Sequence, residues 1–377
     1  MKLILCVDAI AHPLTGIGRY TWELARHYRA IASDDAPRLL HGERWIDDPA
    51  TLLQPQAANK PPKSALQTLL GVRRTQRMQH WWRRRELRSH FFHGPNYFLP
   101  EFAERGVATV HDLSVFKFPE THPAERIRHF ETAFGSTLAR AGHLITDSEA
   151  TRAEVAGFFG WPLERITAIP LGVAPEYHPR EAAELAAPLA ELGLAAGGYA
   201  LCVSTLEPRK RVDRLIAAYA RLPEALRRRW PLVLAGSRGW LNETLLARIS
   251  QAENEGWLRY LGFVPEASLP MLYAGARAFL FPSVYEGFGL PVLEALASGV
   301  PTLTSNSTSL PEVAGGAALL VSPDHDDELR AGIETVLSDD AWRAAAVAKG
   351  LEVAARRDWA SCAGNTLALC RRLEAAR

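Results

Sequence analysis

Residues 281–301 read FPSVYEGFGLPVLEALASGVP, and the architecture follows from how this stretch must fold. The apolar run Ala278-Phe279-Leu280-Phe281 is short and stops at Pro282, the pattern of a strand buried in a parallel sheet. Gly287 and Gly289 then give a flexible loop. Pro291 suits the first turn of a helix, where its missing N–H costs nothing. Such a strand, loop and helix aim helix N-terminal amides and open glycine backbone at an anion or at sugar hydroxyls. Glu286 falls on the loop and Glu294 about one turn into the helix, so two carboxylates accept hydrogen bonds at one cleft.

The same unit recurs outward along the chain. Residues 2–7 are β-prone; the glycine turn Thr15-Gly16-Ile17-Gly18-Arg19 follows, and Tyr20, Leu24 and Tyr28 continue at helical spacing. The apolar 107–110 run ends in His111-Asp112, and 143–146 ends in Asp147-Ser148, with Ser148 or Asp147 as cap of a helical run over 149–158. Polar groups at the carboxyl ends of short apolar strands predict parallel α/β sheets. Between Gly172 and Gly198 the composition shifts to Ala, Pro and Glu, which predicts a boundary between a domain at 1–175 and one at 176–357. Strand-like runs at 199–203, 232–236 and 278–282 make the second half α/β too. After Pro323 the chain reads helical, and an amphipathic segment carrying Trp359, Leu367, Leu369 and Leu373 is expected to return to the first domain over 358–377.

A length of 377 residues exceeds what one core usually organises, and 47% hydrophobic with 23% charged residues excludes a disordered or membrane-embedded chain. The net charge of +1 argues against nucleic acid as a partner. Cys6, Cys202, Cys362 and Cys370 have no C-x-x-C spacing and read as small buried hydrophobes. Asp8 interrupts the first apolar run, and no stretch reaches the ~18 apolar residues of a spanning helix, so a cytoplasmic location is expected, at most peripheral on the inner membrane.

The Glu-x7-Glu element, set in E-G-F-G-L-P-x-L-E-A, resembles the family 4 retaining glycosyltransferases of the GT-B fold, bacterial mannosyltransferases of surface-polysaccharide pathways in particular. The resemblance implies two Rossmann-like domains facing a cleft, and a nucleotide-diphosphate sugar as donor. It places Glu286 on the donor sugar's hydroxyls and Glu294 on the ribose, with Phe288, Gly289 and Leu290 beside them. Ser204 to Arg211 follows the first strand of the second half and holds Lys210, one of only six lysines among 43 basic residues. In similar proteins this lysine meets the donor diphosphate together with an arginine that follows a glycine. Ser204 and Thr205 stand at that point here, so the arginine's role passes to Arg209, while Arg211 reads as a solvated charge. The resemblance also brings Gly16 and Gly18, His111, Gly172, Val264 with the base-binding turn, and Arg238 toward the donor; by themselves His111 reads equally as a satisfied structural histidine, Gly172 as a simple interdomain turn and Arg238 as a charge facing solvent. It implies front-face displacement without a metal or any other cofactor; no H-E-x-x-H or strand-end D-x-D is present.

Three other readings share parts of this pattern: a sugar phosphorylase of the same architecture, a sugar-nucleotide-binding subunit without turnover, and an NAD-dependent oxidoreductase. The last needs a third glycine where Thr21 stands, and its acidic partner would be the Asp34-Asp35 pair. The strings Thr205 to Lys210 and His111-Asp112-Leu113 resemble mannosyl- and deoxyhexosyltransferases, so GDP-mannose or GDP-rhamnose is expected first and UDP-sugars next, with a glycan or lipid-linked acceptor. His93-Gly94-Pro95-Asn96 reads as an acceptor-side loop. Arg73, Arg77, Arg84 and Arg88 share one helical face beside Met78, Trp81 and Trp82, which reads either as a contact with anionic membrane or as an ordinary solvated face.

Overall fold

The computed structural model describes residues 2–14, 16–32, 35–54, 84–85, 87–239 and 243–376. They form two sheets. The first contains β1 (Leu3–Cys6), β2 (Arg38–His41), β3 (Arg44–Ile46), β4 (Phe91–Gly94), β5 (Gly106–Val110), β6 (His143–Thr146) and β7 (Ile166–Ala168) in the order β3-β2-β1-β4-β5-β6-β7. The second contains β8 (Ala200–Val203), β9 (Leu232–Ala235), β10 (Leu258–Gly262), β11 (Ala278–Phe281), β12 (Thr302–Ser305) and β13 (Leu319–Val321) in the order β10-β9-β8-β11-β12-β13. Every pairing is parallel except β2 with β3. Helices cover both faces, so every residue of β1, β4, β5, β6, β9, β11 and β12 is buried, which is why β1, β9 and β11 read as apolar runs.

Each sheet reverses its winding once, between β1 and β4 in the first and between β8 and β11 in the second. Loops leaving two such neighbours diverge and open a crevice at the carboxyl edge, where open α/β sheets bind ligands. Pro208 to Arg211 lies in the loop after β8, and Glu286 in the loop after β11.

Two Rossmann-like halves and three successive helices after Pro323, namely Asp326–Ser338, Asp340–Ala354 and Trp359–Ala375, match the sequence reading. The last helix starts at the N-cap Asp358, whose carboxylate accepts from Ser361 N at 2.7 Å, and it lies against the helix Gly16–Ala32 and β1. Tyr20, Tyr28, Trp359, Cys362 and Cys370 share one buried cluster, and all four cysteines are buried and free. Two details differ from expectation. Gly16 and Gly18 form the first turn of a helix rather than a loop before it, and the β2–β3 hairpin was not foreseen. Of the Asp34-Asp35 pair, Asp34 lies outside the described residues, and Asp35 meets Arg371 of the last helix at 3.3 Å. Among the described residues no helix is long and apolar enough to cross a membrane.

Candidate active site

Two loops build the centre of the site. After β8 the chain makes a single 3-10 turn, Pro208–Lys210, and Arg211 then takes a left-handed φ of 53° that releases the chain into the helix Val212–Ala220. After β11, Val284 N donates to Arg209 O at 2.9 Å and fastens one loop to the other. The fastening brings Lys210 Nζ to 2.5 Å from Glu286 Oε1 and Arg209 Nη1 to 3.3 Å from Glu286 Oε2. Arg209 Nη1 also donates to Tyr285 O at 2.9 Å, and its Nε to Glu207 Oε2 at 3.0 Å. Arg211 pairs with Asp324 at 3.0 Å, outside this cluster.

Burial alone would push the Glu286 carboxyl up, but Lys210 and Arg209 overrule it and hold the group below its ordinary value. Burial pulls the Lys210 ammonium down, with Glu286 opposing. Arg209 is held as a cation against burial by Glu286, Asp112 and Glu207. Two cations and two carboxylates thus meet in one nearly enclosed cluster, an arrangement that persists only while the charges remain paired.

The Glu286 loop is pinned from behind. Glu286 N donates to Thr308 Oγ1 at 3.1 Å, and Ser309 Oγ lies 2.9 Å from Glu286 O and 2.7 Å from Phe288 O. Gly289 has φ +115° as the N-cap of the helix Leu290–Ala297, a conformation that side chains rarely adopt, and Leu290 opens that helix. Phe288 is buried, with the Arg357 guanidinium 5.9 Å from its ring centre, so its side chain packs while its backbone lines the loop. Burial raises the Glu294 carboxyl, against Arg19 and the neighbouring hydroxyls of Tyr273 and Tyr177. Arg19 also forms an ion pair with Glu266, so the helix carrying Gly16 and Gly18 is tied to the loop after β10.

The first half meets this loop directly. A Cβ on Gly287 would lie 1.6 Å from His111 O, so only glycine permits the approach. Ser148 Oγ and Thr151 Oγ1 donate to Gly287 O at 2.7 and 2.9 Å. Ser148 is also the N-cap of the helix Glu149–Phe159, in line with the capping role expected of it.

For His111 the geometry fits the satisfied structural histidine. Its Nδ1 lies 2.7 Å from Asp147 Oδ2 and its Nε2 2.8 Å from Pro95 O. Both partners are acceptors, so the ring fits there as an imidazolium with both nitrogens spent, and neither is offered to a sugar. Gly172 fits the turn between the two halves. A Cβ there would lie 2.2 Å from Trp359 N, so its bareness admits the crossing of the last helix.

Gly16 has nothing within 4 Å of where a Cβ would be and faces open space, whereas Gly18 is buried. Val264 is buried behind the exposed Phe263, and Arg238 is exposed near Tyr260. At the switch point of the first sheet a cavity of about 390 Å³ is lined by Asp8, Glu43, Asn96, Phe98, Glu101 and Phe102, among others. Its wall includes Pro95 and Asn96 of the proposed acceptor-side loop. Of the basic face, Arg73, Arg77, Met78, Trp81 and Trp82 lie outside the described residues; Arg84 pairs with Glu43 at 2.8 Å and Arg88 with Glu104 at 3.6 Å.

Residues 196–353 match the family described as Glycosyl transferases group 1. Across 97% of this chain and 98% of its own length, the O-antigen chain mannosyltransferase B of Escherichia coli is 41% identical. The chain belongs to the group 1 glycosyltransferases. Two solved structures share its fold: Alr3699/HepE of Anabaena in complex with UDP and glucose, at TM-score 0.73 and 19% identity over 98% of this chain and 99% of that one, and WaaG, a glycosyltransferase involved in lipopolysaccharide biosynthesis, at 0.70 and 19% over 97% and 98%. The protein is therefore a glycosyltransferase of the GT-B fold. Sequence reading assigned no part to Arg19, Glu207, Tyr285 or Glu154, which the fold brings to the same site. Arg19 stood inside the quoted glycine string and Tyr285 inside the 281–301 stretch, next to Glu286, but their partners lie far along the chain.

Proposed function

We propose that this glycosyltransferase moves mannose from GDP-mannose to the end of a surface-polysaccharide glycan, keeping the anomeric configuration. The observation that carries the reading is the meeting of Lys210, Arg209 and Glu286 at the β8/β11 switch point, in a chain 41% identical to an O-antigen chain mannosyltransferase. A departing nucleoside diphosphate gathers negative charge as the bond to the anomeric carbon breaks, and Lys210 and Arg209 stand where two strand-end loops converge to receive it. The acceptor oxygen attacks the same face, and its proton passes to the departing diphosphate. Glu286 holds the sugar's hydroxyls and Glu294 the ribose. The cations and the amides opening the helix Leu290–Ala297 meet the charge, so the reaction calls on no metal.

The cavity at the first switch point suits the acceptor, since carboxylates and an amide accept from hydroxyls while Phe98 and Phe102 offer apolar walls. Arg84 and Arg88 already answer Glu43 and Glu104, and we assign them no lipid. The test is incubation with GDP-mannose, GDP-rhamnose and UDP-sugars in turn, with a mannose-terminated oligosaccharide and a chelator present. Transfer from GDP-mannose with the donor's anomeric configuration in the NMR spectrum of the product is expected. An inverted product overturns the mechanism, and transfer from UDP-sugars alone overturns the donor. Release of sugar phosphate from a polysaccharide would instead mark a phosphorylase.

A further inference from the structure

We propose that Tyr285 is a positioning residue that couples the seating of the two domains to the placement of Glu286, an inference resting on the reading of Glu286 as the group that holds the donor sugar. Tyr285 belongs by backbone to the second half and by side chain to the first. Its carbonyl accepts from Arg209 Nη1 at 2.9 Å and from Ser283 Oγ at 3.3 Å, within the cluster around Lys210. Its ring, 2% exposed, packs on Phe118 at 5.1 Å between centroids, with the Lys117 ammonium 5.2 Å from the ring centre. Its hydroxyl accepts from Leu113 N at 2.8 Å and donates to the Glu154 carboxylate, which also pairs with Lys117.

Glu286 is the next residue and Gly287 the one after, with Gly287 O held by Ser148 and Thr151. The peptide carrying Glu286 is thus fixed on both sides by the first half, and from beneath by Arg209. If the halves part, the phenol and the Gly287 carbonyl lose their partners together, and Glu286 keeps only the contacts of its own half. A carboxylate that must meet sugar hydroxyls is sensitive to such a change, because displacement by about 1 Å costs on the order of a hundredfold in rate. The Tyr285 hydroxyl therefore makes completion of the site conditional on closure.

The experiment uses the full chain. An interdomain fluorophore pair and small-angle X-ray scattering report the seating without any donor; calorimetry reports GDP binding; steady-state rates report turnover. Tyr285→Phe keeps the ring and removes the bridge. It is expected to widen the interdomain distance and lower kcat about tenfold or more, with GDP affinity unchanged. Glu154→Gln, whose amide oxygen still accepts from the phenol, is expected to retain most of both. An unaltered distance in folded Tyr285→Phe overturns the proposal. So does a lower melting temperature with kcat per folded molecule intact, or GDP affinity that falls in step with turnover. If the wild type transfers no sugar from any donor, the reading of Glu286 fails, while the distance measurement still decides whether Tyr285 holds the halves together.

Discussion

Lys210 and Glu286 make a contact that a donor seated as proposed would alter. The Glu286 carboxylate neutralises the ammonium at 2.5 Å, and Arg209 is shared between Glu207 and Glu286. On the proposed reading, a diphosphate beside Lys210 and a sugar hydroxyl beside Glu286 would replace one internal pair by two external ones, so that neither charge is left bare in a site where an unpaired charge is costly. Removing the ammonium would then spoil both halves of the exchange, because the leaving group would lose its counter-charge and Glu286 would be left with Arg209 alone. Lys210→Ala is therefore expected to lower kcat by a factor of 10² to 10³, about 2.7–4 kcal/mol of barrier. Steady-state rates on a variant with an unchanged circular dichroism spectrum measure this. Turnover at the wild-type level would remove Lys210 from the mechanism. The two residues were readable as candidates because each follows a strand within a distinctive string. Their mutual contact was not, since 76 positions separate them and only the strand order puts β8 beside β11.

At the scale of elements, the carboxyl ends of β5 and β6 and the start of the helix Glu149–Phe159 form the surface on which the second half rests. Glu312 accepts from Glu149 N at 3.0 Å, a carboxylate placed on the positive end of a helix from the other half of the molecule. Behind that surface lies the pair formed by His111 and Asp147. Burial opposes the charge on His111, but Asp147 and the Pro95 carbonyl outweigh it, and the imidazole pKa stands above its ordinary value. A group bound more tightly to its proton in the fold stabilises the fold fully below its unfolded pKa, about 6.5 for histidine. That contribution disappears as the pH rises through the native value. The melting temperature is therefore expected to fall as the pH is raised from about 6.5 through the native His111 pKa, and His111→Gln should flatten that slope. A wild-type slope retained in the variant would place the titration elsewhere. The elements that sequence reading recovered, β1, β5, β6, β8, β9 and β11, are continuous apolar runs ending in polar residues. Those it missed carry weaker local signals: β2 and β3 are four and three residues long and contain Arg38, His41 and Arg44. The dual engagement of His111 depended on Pro95, a partner on the neighbouring strand's loop.

Over the whole molecule, the chain passes between the halves near Val173 and again near Asp358, and the two passages touch. Val173 pairs with Asp358 in an isolated parallel bridge, and Val173 N donates to Arg357 O at 3.0 Å. Beyond this junction the last helix lies on the helix Gly16–Ala32, with Lys2 N donating to Glu374 Oε1 at 3.1 Å, so the far end of the sequence completes the first half. Gly172 makes the junction possible. A Cβ there would stand 2.2 Å from Trp359 N and 2.3 Å from Asp358 C, both backbone atoms with no rotamer to retreat into. The crossing has to open for Gly172→Ala to fold, at a cost on the scale of overpacking a core, about 1–3 kcal/mol. The loss should be read in two places, because loosening the start of the last helix loosens what it covers. A lower melting temperature is expected, with faster amide exchange in both the Trp359–Ala375 and Gly16–Ala32 helices. Gly16→Ala is the internal control, since nothing lies within 4 Å of that Cβ, and its stability should stay near wild type. If Gly172→Ala melts with the wild type, or exchange rises in the last helix alone, the two passages do not act as one junction.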